Sequence, residues 1–209
     1  MNKKNLGIVL AGALAALGIN GVIHAATLGQ PAPRFKAVDT NGKTIKLSSL
    51  KGKFVVLEWH NPQCPFVKSQ YKGKMQKLQA KWTAQGVVWL SIISSAPGLE
   101  GSVDTAGANA DVTTHQSNVT ATILDPSGKI GHLYGAKTTP HMFVIDPKGI
   151  LIYDGAIDND PLDDAIADKT QDGSQYLNYV DQALTQAAAG QQVAVSSTPP
   201  YGCGVKYAD

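Results

Sequence analysis

Phe54 to His60 reads FVVLEWH, a near-continuous apolar run of strand length, and Val87 to Ser94 reads VVWLSIIS. Such runs, apolar at nearly every position, fit strands covered on both faces. Between them the period changes. After Pro65, a residue suited to a first helical turn, Val67, Tyr71, Met75, Leu78 and Trp82 recur at spacings of four, four, three and four. Lys68, Lys72, Lys74, Lys77 and Lys81 take other positions. The pattern predicts a single helix with one buried face, ending near Gly86. TATILD with Pro126-Ser127-Gly128 predicts a strand and turn, and KIGHLYG a short helix. HMFVIDPKGILIYDGAI predicts two strands joined at Asp146-Pro147-Lys148-Gly149. Tyr176, Leu177, Val180 and Leu184 share a face of a last helix that stops at Gly190. Upstream, QPAPRFKAVDTNGKTIKLSSLKGK predicts a hairpin turning at Asn41-Gly42 and anchored by Leu47 and Leu50. Residues 95–118 are small and polar and predict a long loop or insertion.

The ends have a different character. Lys3 and Lys4 precede an uncharged Leu/Ala/Gly-rich run from Leu6 to Ile23, and Ala25 and Ala26 offer small residues for cleavage. Residues 1–25 are therefore expected to be a secretory signal peptide, residues 26–190 the folded domain, and residues 191–209 a tail rich in Ser, Pro and Gly. A permanent anchor is the alternative. Several glycines, Asn20 and the lack of a flanking charge cluster argue against it. Lys3 and Lys4 account for the whole excess of 18 basic over 16 acidic side chains. The remainder is neutral, so neither nucleic acid nor, after cleavage, a membrane is an expected partner. The expected location is outside the cytoplasm, most simply a bacterial periplasm.

In an exported chain two cysteines, Cys64 and Cys203, imply one disulfide, and a structural staple is the plain reading. Yet Cys64 falls where a buried strand ends and a helix begins. Unpaired backbone N–H groups and the positive end of the helix dipole there favour a thiolate. Glu58 lies among apolar neighbours, and a buried carboxylate in that position can relay protons to thiol chemistry. The amides of Asn61-Pro62-Gln63 either contact a bound sulfur or oxygen or simply make the turn. His60 and His141 are candidate bases or metal ligands, with polar residues near the surface as the alternative. Asp158, Asp160, Asp163, Asp164 and Asp168 lack the glycine and terminal glutamate of a calcium loop. Asp160 as N-cap, followed by Pro161, is an ordinary helix start.

GQPAPRFKAVDTNGKTIKLSSLKGKFVVLEW, then CPF opening a lysine-rich helix, then TTP before HMFVIDPKG, resembles the thioredoxin superfamily in its redoxin, peroxiredoxin-like (AhpC/TSA-like) branch over about Leu28 to Ile157. The resemblance implies an α/β, thioredoxin-like fold, with a central mixed β-sheet flanked by helices, an N-terminal β-hairpin and a C-terminal tail. It implies a reactive Cys64 and a cis Thr139–Pro140 peptide against it. Asn61, Pro65, Thr139 and Pro140 would border the substrate. It also strengthens the reading of Glu58, six positions before the cysteine, as part of the catalytic set.

The departures redirect the chemistry. Val67 stands where thioredoxins place a second cysteine, and Leu57 and Asn61 stand where peroxiredoxins place proline and threonine. The chain's only arginine is Arg34, far upstream. GCGVKY resembles a recurrent tail of this branch, which implies Cys203 as a resolving thiol. The first expectation is a periplasmic thiol-disulfide oxidoreductase acting with a disulfide or thiol partner and a periplasmic reductant, without cofactor or metal. A thiol peroxidase acting on peroxide is the alternative. A non-catalytic scaffold holding copper at Cys64, His60 and His141 is the third reading.

Overall fold

The computed structural model describes residues 25–161 and 174–208. The segment expected to be a signal peptide, apart from Ala25, lies outside the described residues, as do Asp163, Asp164 and Asp168 and the helix expected after Pro161. A hairpin of β1 (Lys36–Val38) and β2 (Thr44–Lys46) leads through a 3-10 turn into β3 (Val55–Trp59). The chain continues through α1 (Pro65–Gln70), α2 (Lys74–Thr83), β4 (Val88–Ile93), α3 (Thr105–Thr114), β5 (Ala121–Leu124) and α4 (Lys129–Tyr134). Two-residue β6 (Thr138–Thr139) precedes β7 (His141–Ile145), β8 (Leu151–Gly155) and α5 (Tyr179–Ala188), and β9 (Cys203–Gly204) lies in the tail. The main sheet has the order β5-β4-β3-β7-β8, with β3, β4 and β5 parallel and β7 and β8 antiparallel to their neighbours. This is the mixed, helix-flanked α/β sheet that the sequence implied.

β3 is central and every one of its residues is buried, as are those of β4 and β7. Alternate residues leave opposite faces of a strand. Leu57 and Trp59 join Leu90, Ile92 and Phe143 on the face covered by the hairpin and α4. Val56 packs on the other face with Trp89, Met142, Val144 and the apolar sides of α2 and α5, and Cys64 belongs to that second layer. The same alternation sends Glu58 to the side of Val56, beneath α2.

Two local expectations are corrected. The helix after Pro65 is broken between α1 and α2 at Gly73, where φ is 126°. Gln76 stabilises the break by capping both ends: its Nε2 donates to the Tyr71 carbonyl at 2.6 Å and its Oε1 accepts from the Gly73 N–H at 3.0 Å. The apolar spacing runs on through the break, so the pattern concealed it. Within residues 95–118 stands α3, capped by Asp104, whose carboxylate accepts from the Gly107 N–H at 2.8 Å. Only Ala108 of that helix is buried, so it leaves no hydrophobic period to read.

No atom crowds the space a Cβ would occupy at Gly73, so its requirement is conformational. Gly73→Ala is expected to lower stability by about 1–2 kcal/mol through backbone strain alone, measured by urea unfolding. Unchanged stability would show that the break tolerates a side chain.

Candidate active site

The turn from β3 to α1 is ordered by one side chain. Asn61 accepts the Gln63 N–H on Oδ1 at 2.8 Å, its carbonyl accepts the Cys64 N–H at 3.1 Å, and its Nδ2 lies 3.4 Å from Glu100 Oε1. The Gln63 amide, one of those the sequence offered to a ligand, is thus engaged within the turn, as is the Cys64 amide. Gly101 packs so closely that a Cβ there would stand 2.2 Å from Asn61 Oδ1. Cys64 is the N-cap of α1, and Pro65, its first residue, is exposed. Cys64 itself is fully buried and disulfide-bonded to Cys203, 139 residues away, with a Cα–Cα distance of 5.9 Å. That distance lies within the ordinary span of a disulfide. Cys64 Sγ also lies 3.1 Å from the Thr139 carbonyl oxygen. The oxidised sulfur carries no proton, but a reduced thiol would find its acceptor there.

Cys203 reaches Cys64 on a strand. The Thr139–Pro140 peptide is cis, and the two residues before the proline, β6, pair antiparallel with β9, Thr139 opposite Cys203 and Thr138 opposite Gly204. The Val205 N–H extends the pairing to the Lys137 carbonyl at 3.1 Å. On one side Thr198 Oγ1 accepts the Ala156 N–H at 2.9 Å and meets the Tyr153 hydroxyl at 2.7 Å. On the other, Tyr207 donates to the Ala136 carbonyl at 2.8 Å and stacks on His132 with ring centroids 4.0 Å apart. Gly202 is required by close approach, since a Cβ there would lie 2.1 Å from the Thr139 carbonyl oxygen. Sequence reasoning named Cys203 but missed β6, β9 and the anchors around them, because two-residue strands leave no periodic signal.

Glu58 lies in the centre of the sheet with no exposed surface. Its carboxylate accepts from Tyr71 Oη at 2.7 Å, Gln79 Nε2 at 3.1 Å and Trp89 Nε1 at 2.7 Å. Such a donor set makes a buried carboxylate tolerable. His60 stands between two acids: Nδ1 is 3.4 Å from Glu58 Oε1, an ion-pair contact without hydrogen-bond geometry, and Nε2 is 2.9 Å from Asp111 Oδ2. Burial draws the His60 pKa down, but the bond to Asp111 and the nearby charges of Asp111 and Glu58 outweigh it and hold it up at about 9. Burial raises the Asp111 carboxyl, and the bond to His60, the His60 charge and the charge and bond of His115 together more than reverse that, leaving it below its usual range. Burial, followed by the Glu58 charge, pushes the Tyr71 phenol well above its usual range, so it remains a donor. Asp111, contributed by α3, is the partner that sequence reasoning missed. It lies 51 residues from His60, in a segment read as loop.

His141 is buried as well, so neither histidine is the surface residue of the alternative reading. Its Nδ1 accepts the Lys137 N–H at 3.1 Å and its Nε2 lies 2.8 Å from Asp154 Oδ1. Both rings are committed to protein partners and the Cys64 sulfur to a disulfide, an arrangement that does not fit copper ligation. Among the described residues no group of three or more His, Cys, Asp or Glu is placed to hold a metal. Arg34 lines a cavity with Val55 and Ile145, at the end of β3 opposite to Cys64.

Comparison with known proteins matches the AhpC/TSA family model to residues 28–154. The thiol-disulfide oxidoreductase ResA of Bacillus subtilis is 29% identical over 133 residues, covering 59% of this chain and 64% of ResA. The chain therefore spans less than two thirds of that relative. An uncharacterized conserved protein from Geobacillus kaustophilus has a similar structure, with a TM-score of 0.75 at 21% identity over 87% of this chain and 93% of its own. A Chlorobium tepidum structure, provisionally described as the thiol:disulfide interchange protein DsbE, aligns with a TM-score of 0.50 at 27% identity over 62% of this chain and 85% of its own.

Two outcomes are expected. Because folding raises the pKa of His60, its contribution to stability is complete below about 6.5 and is lost as pH rises through about 9. Thermal unfolding midpoints should fall across that window, and His60→Gln should flatten the fall; an unaltered slope in the variant would contradict this. Gly202→Ala should dislodge β9, leaving two thiols that alkylate readily in air-oxidised protein. A persistent disulfide in that variant would show that the close approach to Thr139 is dispensable.

Proposed function

The chain belongs to the AhpC/TSA family, and from that premise we propose that it is a thiol-disulfide oxidoreductase with Cys64 as the attacking thiol and Cys203 as the resolving thiol. The observation that carries the reading is the bond between two cysteines 139 residues apart, delivered to one another by a strand rather than by chance proximity. The similarity to ResA over the domain supports the same class of reaction.

In the reducing direction the Cys64 thiolate attacks one sulfur of a substrate disulfide and forms a mixed disulfide. The other substrate sulfur leaves as a thiolate and takes up a proton. Cys203, as thiolate, then attacks Cys64 Sγ, which displaces the remaining substrate sulfur. The substrate gains two electrons and two protons, and the chain is left as the Cys64–Cys203 disulfide. A dithiol reductant restores the pair by the reverse exchange. The Thr139 carbonyl holds the Cys64 thiol, Pro140 and Pro65 border the sulfur, and Asn61 keeps the turn in place. Glu58, with Tyr71 and the His60–Asp111 pair, forms a linked polar cluster from the buried layer toward Asp111 along which a proton can pass to or from the thiol chemistry. Residues 1–25, acting as an export signal, place the reaction and its reductant in the periplasm.

Peroxide reduction is the competing reading. It calls for hydrogen-bond donors that stabilise the departing oxygen. The Asn61 amide is engaged in its own turn and Arg34 sits beyond the opposite end of β3. These placements favour disulfide exchange.

Reduction of oxidised glutathione, or of an aromatic disulfide that reports colour on cleavage, tests the assignment. Cys64→Ser is expected to abolish turnover. Cys203→Ser should permit one attack and then accumulate the mixed disulfide, visible by intact mass. Turnover that survives the loss of Cys64, or a wild-type chain oxidised by stoichiometric hydrogen peroxide much faster than by disulfides, would contradict the proposal.

A further inference from the structure

Two residues before Cys203, the Tyr201 hydroxyl donates to the carboxylate of Asp158. Asp158 is 1% exposed and also accepts from Tyr176 Oη at 3.0 Å, Gln70 Nε2 at 3.2 Å and the Asp160 N–H at 3.0 Å. A carboxylate so deeply buried depends on its donors. Three belong to the domain, and the fourth is brought by the tail. Gln70 Nε2 additionally lies 3.1 Å from Tyr201 Oη, and the Phe66 ring sits 6.1 Å from the Tyr201 ring. Phe66 and Gln70 both lie on α1, whose N-cap is Cys64. The short helix that begins at one cysteine therefore grips the tail two residues before the other. Nothing in the exchange chemistry described above uses this cluster.

Closing a ring between residues 139 apart costs conformational entropy that grows with the free segment. Once Tyr201 is seated, only Gly202 separates the anchor from Cys203. The search left to the thiol is then local, and its effective concentration is set by the anchor rather than by the length of the chain.

We propose that Tyr201 is a positioning residue whose seat on Asp158, Gln70 and Phe66 sets the effective concentration of Cys203 at Cys64 and thereby the reduction potential of the pair. This rests on reading Cys64 and Cys203 as an exchanging couple. The coupling is reciprocal: the disulfide holds Tyr201 in its seat by the same free energy with which the seat favours the disulfide. Reduction therefore loosens the tail from β6 and from Asp158 together, which frees the strand edge beside Cys64 for an extended substrate. Tail and substrate compete for one edge, and the tyrosine seat fixes how strongly the tail competes.

The test is the equilibrium of the full chain with reduced and oxidised dithiothreitol. One dithiothreitol dithiol gives two electrons and two protons to the Cys64–Cys203 disulfide and becomes its own cyclic disulfide. Tyr201→Phe removes the donor while keeping the ring, and is expected to weaken ring closure about tenfold, raising the potential by about 30 mV. Tyr176→Phe removes a donor to the same carboxylate that is not on the tail, and should leave the potential unchanged. Equal thermal midpoints of reduced wild-type and Tyr201→Phe chains check that the domain is intact. A Tyr201→Phe potential equal to that of the wild type overturns the proposal, as does an equal shift from Tyr176→Phe, which would make the cluster merely structural. A Tyr201-specific shift in a chain that reduces no disulfide substrate would support the positioning role while removing the proposed function.

Discussion

The pairing of β6 with β9 is the constraint on which the site depends. Thr139 stands opposite Cys203 in that pairing, precedes the cis proline, and presents its carbonyl 3.1 Å from Cys64 Sγ. A slip of one residue would send the Cys203 side chain to the other side of the strand. Gly202 enforces the register from the tail, because its backbone passes too close to Thr139 for any side chain. Thr198 and Tyr207 hold the tail on either side of that point. The disulfide is thus the outcome of a docked strand, and the strand is stabilised in turn by a covalent link worth about 4–5 kcal/mol on the chain-entropy account of long loops. Such a link serves equally as staple or as reservoir of redox free energy. Its surroundings favour the proposed redox use: Cys64 caps a helix, faces a polar carbonyl and sits in one layer with a buried carboxylate.

That carboxylate sets a second constraint. Glu58 occupies the central strand of the sheet, where an uncompensated charge would be costly. Tyr71, Gln79 and Trp89 supply donors, and His60 supplies a cation that is itself shared with Asp111. The cluster draws on β3, β4, α2, α3 and the segments that flank them, so α3 acts as more than a surface insertion. A sheet built for stability alone would place an apolar residue at Glu58. The donors gathered around it make sense if the charge is used.

Much of this was legible in the sequence because it rests on local rules. Near-continuous apolar runs marked β3 and β4, Cys64 announced itself at a strand-to-helix junction, and Thr139-Pro140 was readable from the resemblance. The losses have a common cause in features without local period. α3 buries only Ala108, so an amphipathic pattern is absent and only Asp104, as a cap, hinted at a helix. The break at Gly73 was masked because Tyr71, Met75 and Leu78 keep helical spacing across it. His60 with Asp111, and Tyr201 with Asp158, are pairings over 51 and 43 residues that depend on the completed fold. The acidic cluster illustrates the point: Asp158, read only as one member of that cluster, is a buried acceptor for the tail.

The account turns on whether the Cys64–Cys203 bond exchanges or merely holds. The direct measurement is a glutathione redox titration of the native full chain, with free thiols trapped by alkylation at each poise and counted by intact mass. The account predicts one two-electron transition within the glutathione range, in which both thiols appear together. A bond that stays closed at every glutathione poise and opens only after denaturation would contradict it and return the pair to a structural staple.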